Sequence, residues 1–334
     1  MQARQYSLVA DIGGTNARFA LVDDSKPGLI EKRSLRVADY PSIVYAVQAY
    51  LEQVGPINPY QAVMSVAAPV TGDLLNMTNH TWNFSIHETR ETLALRHLKV
   101  INDYTALALA LPLLTENQLR MIGPGAGQAG RPVAVLGPGT GLGVSGAFPV
   151  GNRWVPLEGE GGHVSYGPLD AREQEIIEVL REKMEHVSAE SLVSGPGLSA
   201  IYAALDRLDG GSAQKLSPGE VTDLALDDDS AMANEALSVF CGILGSVAGN
   251  LALTLGATGG VYIGGGIVPK VLDFFSASAF RERFEQHGRM RLYLRNIPTY
   301  VITASYPALR GAAVALNAAY ANVGVSSYDA AGSD

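Results

Sequence analysis

Two short stretches of this 334-residue chain set glycines where chemistry could use them. DIGGTNAR (Asp11 to Arg18) places a carboxylate at the end of an apolar strand pattern, followed by Gly13, Gly14, Thr15 and Asn16. Glycine has no Cβ, so such a turn lets main-chain N–H groups approach phosphate oxygens closely. An ordinary hairpin turn is the competing reading. GPGTGLG (Gly137–Gly143) repeats the arrangement, with Gly139, Thr140 and Gly141 at the matching place. Two such turns at corresponding points favour a nucleotide gripped between two halves. Neither turn is followed by Gly-Lys-Ser/Thr, and neither fits the strand, Gly-x-Gly-x-x-Gly, helix pattern of dinucleotide sites.

Carboxylates and one imidazole supply the rest of the candidate site. GEGGH sets Glu160 three residues before His163 in a glycine-rich turn, and Glu190 follows in HVSAESLVSG, where Ser188 is placed to cap a helix. These groups suit directional hydrogen bonds to sugar hydroxyls. Zinc ligation by His163, and a plain structural bond from its ring to a turn carbonyl, are the alternatives. Asn102-Asp103 ends an apolar strand just before a helix, at the strand tip where open α/β sheets hold ligands. Asp103 there either caps the helix or takes a proton from a hydroxyl nucleophile during phosphoryl transfer. In TGGVYIGGGIVPK (Thr258–Lys270) the glycines around Gly265 serve either a purine and its ribose or packing alone.

Alternating strand and helix patterns must position these residues. Strands are expected at Tyr6–Gly13, Asn16–Asp23, Ser34–Val37, Gln61–Val70 and His97–Asp103. Helices are expected over residues 41–54 and 104–114, and after Ser85, which stands three residues before Glu88 as in a capping box. After a Gly/Pro/Gln stretch (123–132) the strand, glycine turn, strand pattern restarts at VAVLGPGTGLGVSG. Helical patterns at Glu173–Lys183, Leu198–Leu208 and Ala233–Leu255 follow, then the VYIGGG strand, a helix start at Pro269 and a last helix at Pro307–Tyr320. The tail SSYDAAGSD reads as frayed.

The composition narrows the class. Hydrophobic residues make up 47% and charged residues 17%, against a usual charged share of about 25%, which excludes a disordered chain. The net charge of −9, without a Lys/Arg cluster, points away from nucleic acid. The single cysteine, Cys241, can form neither an intrachain disulfide nor a zinc-binding thiol set. Ala236–Pro269 carries no charge, but nine glycines break it into a buried helix, a turn and a short strand, so no membrane span is expected. The N-terminus runs straight into a strand without a signal-peptide stretch. A cytoplasmic chain of two domains is the expectation.

With DIGGTNAR, TNHTW, INDYTA, GPGTGLG, GEGGHV, VSAESLVSGPG and GGVYIGGGIVPK in this order, the chain resembles the bacterial glucokinases of the hexokinase, actin and Hsp70 ATPase superfamily. The likeness covers roughly residues 6–320. It implies an α/β fold of two ribonuclease-H-like domains facing a central cleft, one of residues 1–113 plus 304–321, the other of 114–303, with a flexible tail at 322–334. It implies phosphorylation of D-glucose at the 6-hydroxyl by ATP with Mg²⁺, and commonly a homodimer. By the same resemblance Asp103 matches the catalytic aspartate. Asn102, Glu160, His163 and Glu190 match the sugar ligands, the DIGGT and GPGTG turns match the phosphate loops, and VYIGGGIVPK matches the adenosine motif. Pro138 departs from the pattern by removing one N–H from the second loop. Kinases of other hexoses, and a sugar-sensing regulator without turnover, are the competing functions.

Overall fold

A computed structural model describes residues 5–23, 25, 28–77, 82–212, 215–227 and 230–316. The expected frayed tail, the end of the last helix and most of TNHTW lie outside them. The chain divides into two compact units, one of residues 1–113, 150–158 and 305–334, the other of 114–149 and 159–304.

In the first unit five strands lie in the order Leu29–Arg36, Asn16–Asp23, Tyr6–Ile12, Gln61–Val66, His97–Asn102. Tyr6–Ile12 pairs antiparallel with Asn16–Asp23 across the DIGGT turn and parallel with Gln61–Val66. A parallel neighbour requires a crossover, and the helix Ile43–Val54 lies within it, burying Ile43, Ala46, Val47 and Tyr50. That helix covers one face of the sheet around Ile12, Phe19 and Val66. Val9, Ala20, Val63 and Ile101 point the other way, into a cluster completed by helices Asp103–Ala110 and Pro307–Ala315. Both faces are therefore buried, which is why these strands read as unbroken apolar runs.

Two of the expected strands shift at their ends. The strand expected at Ser34 begins at Leu29, because LIEKRSLR is an exposed, charged edge strand without an apolar run. Val37 then turns into a short 3₁₀ helix. The strand expected to reach Val70 stops at Val66, before Pro69. Ser85 caps Ile86–Thr92 as expected, its Oγ accepting the Glu88 N–H at 3.0 Å.

The second unit carries the same motif. Val133–Pro138 forms a hairpin with Leu142–Val150 across the GPGTG turn, and is followed sideways by the parallel strands Gly260–Ile263 and Thr299–Ile302, with Leu119–Ile122 antiparallel beyond. A hairpin flanked by two parallel strands thus occurs in both units. Helices fill the core, chiefly Ala231–Leu255, which buries fourteen of its residues. It is the one helix among the described residues long and apolar enough to cross a membrane, and 72% of its apolar window is buried inside the protein. Gly256, left-handed at φ 59°, ends it before the short strand at Gly260. The charge-free stretch divides as its glycines indicated.

Candidate active site

In the first unit the hairpin register sets Asp11 directly across from Arg18. Asp11 is buried, with Oδ2 accepting from Arg18 Nη1 at 3.1 Å and Oδ1 accepting from Ser65 Oγ at 3.1 Å. Asp11, Ser65 and Ile101 occupy one cross-strand row, and Asp103 follows Ile101 by two residues. Asp11 and Asp103 therefore emerge at the carboxyl ends of parallel strands, where sheets of this kind bind ligands.

The helix that begins at Asp103 settles which residue caps it. Asn102 Oδ1 accepts the N–H groups of Tyr104 at 2.8 Å and Thr105 at 3.3 Å, so Asn102 is the cap. Its Nδ2 reaches the Ala68 carbonyl at 3.4 Å. Asp103 is the first helical residue, with Oδ1 accepting the Tyr104 N–H at 2.9 Å. The capping role weighed for Asp103 thus belongs to its neighbour. Burial, and then the Asp103 charge, push the Tyr104 phenol far above its usual range, so it stays neutral.

The two glycine turns close alike. Gly13 N–H donates to the Asn16 carbonyl at 3.0 Å, and Gly139 N–H to the Gly141 carbonyl at 2.8 Å. Thr15 and Thr140 are the exposed tips. Neither Gly13 nor Gly139 has a positive φ. A Cβ at Gly13 would meet its nearest neighbour at 3.5 Å, and one at Gly139 at 4.0 Å. Neither backbone conformation nor packing explains glycine there. The space in front of both glycines would admit a closely approaching ligand. Pro138 is buried in the strand opposite Leu142, so the donor it lacks belongs to the hairpin and not to the tip at Thr140.

Around the second turn the sequence-predicted residues gather within the second unit. Ser188 caps the short helix Ala189–Leu192 and puts Glu190 in its first turn. Glu190 Oε2 accepts the Leu142 N–H at 2.7 Å, while Oε1 lies 4.0 Å from His163 Nδ1. A side chain on Gly141 would collide with the Glu190 carboxylate, and one on Gly162 with the Leu142 carbonyl. The Gly139 carbonyl also accepts the N–H of Gly195, at the head of the helix Gly195–Leu208. Glu160 is exposed, and its carbonyl accepts the main-chain N–H of His163 at 3.0 Å. The turn is thus tied by the His163 backbone, and the ring is left largely exposed. Among the described residues no three His, Cys, Asp or Glu side chains stand close enough to hold a metal.

Gly265 has a structural reason to be glycine. Its φ is 79°, and a Cβ there would strike the Pro138 carbonyl. Gly266 faces open space. The IGGGIV turn therefore packs on the strand that leads into the second loop. Ser65 and Arg18, for which no role was expected, both hold Asp11. Ser65 interrupts an apolar strand, and Arg18 stands seven residues after Asp11 across a tight turn; both were signals.

The glucokinase family model matches residues 8–319. A glucokinase of Aromatoleum aromaticum is 53% identical over 94% of this chain and 95% of its own length. The chain belongs to the glucokinase family. The crystal structure of a glucokinase from an Antarctic psychrotroph superposes with TM-score 0.83 at 37% identity, covering 93% of this chain and 98% of that one. A ROK family glucokinase from Streptomyces griseus, solved with glucose and AMPPNP, shares the fold at TM-score 0.61 and 19% identity over 92% of this chain and 98% of its own. This glucokinase-family chain thus has the two-domain actin-like ATPase fold, its duplicated motif being the hairpin and parallel strands of each unit.

Proposed function

We propose that this glucokinase-family chain transfers the γ-phosphoryl group of ATP to the 6-hydroxyl of D-glucose, with Asp103 as the general base. The observation that carries the role of Asp103 is the division of labour at the helix start, where Asn102 caps and leaves Asp103 at the strand tip. The hexose O6 attacks the γ-phosphorus as the bond to the β,γ-bridging oxygen breaks and ADP leaves. The transition state is loose, so Asp103 orients the hydroxyl and takes its proton late. Asn102, Glu160, His163 and Glu190 fix the other hydroxyls. The turns at Gly13–Asn16 and Gly139–Gly141 receive phosphate oxygens, and Gly265 shapes the wall for the adenosine.

Asp11 is a hard oxygen donor whose two oxygens are each oriented by one hydrogen bond, a set that fits Mg²⁺ held mainly by phosphates and waters. When bound, the ion neutralises charge on the transferring phosphoryl group. Residues 1–113 with 304–321, and 114–303, are in this reading the two domains of the kinase. A cytoplasmic homodimer completes the proposal, supported by the family likeness.

A coupled assay of ADP release across a panel of hexoses tests the function. Turnover fastest with glucose supports it, and turnover fastest with fructose, mannose or N-acetylmannosamine replaces the acceptor. Tight glucose binding without release with any sugar would overturn the kinase reading in favour of a sensor.

A further inference from the structure

The C-terminal segment reaches the first phosphate turn through one aromatic ring. Tyr306 precedes the helix Pro307–Ala315 with φ 55° and ψ 47°, a left-handed backbone that a bulky side chain rarely adopts. It is one of three non-glycine residues with positive φ among the described residues. Its ring is partly exposed, so burial does not account for it. The Arg18 guanidinium carbon lies 5.7 Å from the ring centroid, within cation–π range. The same guanidinium donates to Asp11 Oδ2. Tyr306, Arg18 and Asp11 thus form a relay inside the first unit, from the start of the last helix to the carboxylate beside the DIGGT turn.

We propose that Tyr306 is a positioning residue, holding Arg18 so that Asp11 is presented in one orientation to the metal–nucleotide complex. The inference rests on the kinase reading for the identity of that complex. Strained backbone at functional sites persists where the surroundings over-determine it. Here Pro307 fixes the chain entering the helix, and helix packing fixes the helix. The unusual backbone delivers the ring onto Arg18. A half-buried arginine without the ring samples other rotamers, and Asp11 then loses one of its two orienting bonds.

The experiment compares the parent, Tyr306→Phe and Tyr306→Asn. Asparagine tolerates left-handed backbone and so removes the ring without straining the fold. Calorimetry of ATP binding with Mg²⁺ and with a chelator gives the metal-dependent gain in affinity, independent of any acceptor sugar. Tyr306→Phe should keep that gain within about twofold. Tyr306→Asn should lower it about 3- to 10-fold, the range expected for one cation–π contact, with metal-free ATP affinity and Tm near the parent's. Glucose turnover of the parent, measured alongside, reads the kinase proposal separately. A Tyr306→Asn variant with the parent's metal-dependent gain would overturn the inference. So would an equal loss of metal-free affinity and Tm, which marks a structural role alone.

Discussion

Glu190 Oε2 accepts the Leu142 N–H at 2.7 Å, one residue beyond the Gly139–Gly141 turn, while its other oxygen faces His163. One carboxylate thus braces a candidate phosphate turn and belongs to the candidate sugar set. Glu190→Ala leaves the Leu142 N–H without that acceptor, a loss of about 1–3 kcal/mol. It should raise the glucose KM and also weaken ADP binding measured by calorimetry without sugar. Glu190→Gln keeps an acceptor oxygen, so ADP affinity should stay nearer the parent's while the KM still rises. Unchanged ADP affinity in Glu190→Ala would show that the bond does not shape the loop.

Gly311 lies against the backbone of the helix that begins at Asp103, and any Cβ there would land on the Ala106 carbonyl. In an ordinary helix interior, glycine to alanine gains up to ~1 kcal/mol. Here the sign reverses, and Gly311→Ala should cost about 1–3 kcal/mol through overpacking. Urea denaturation reads the cost, and kcat should fall because the displaced helix carries Asp103. A variant as stable as the parent would mean that the two helices part easily.

Lys99, on the strand that ends at Asn102, has its pKa lowered from 10.5 to about 8, chiefly by burial and partly restored by the Glu158 charge. The unfolded chain holds more protons than the folded one between those values, so this group's contribution to stability rises with pH across that window. Below about pH 8 the cost of the partly buried charge is fully present. Lys99→Met should therefore raise Tm at pH 7, with the advantage shrinking from about pH 8 to pH 10.5. An advantage that grows with pH would contradict the burial argument.

Much of this was legible because each unit announces itself as a strand, a glycine turn and a second strand. The turn length fixes the register, and the register alone puts Arg18 across from Asp11. Apolar runs located the central strands, whereas the edge strand at Leu29 hid because its charges face water. Position made Asp103 the capping candidate, whereas Asn102 is the cap, because a carboxamide one residue earlier caps as well as a carboxylate. The stacking of Tyr306 on Arg18 had no local signal. It depends on where the last helix docks, a contact between residues far apart in sequence.

Asp103 is proposed to take the proton from the hexose hydroxyl. Asp103→Asn keeps size and can still accept the Tyr104 N–H, and Asn102 remains to cap the helix. Stability and ADP affinity should therefore match the parent's, while kcat with glucose falls on the order of 10²–10⁴-fold. The most direct measurement is kcat of Asp103→Asn in the ADP-release assay at saturating glucose and ATP, beside its Tm. A folded variant that keeps more than about a tenth of the parent's kcat, far above that range, would contradict the account and leave Asp103 without a chemical role.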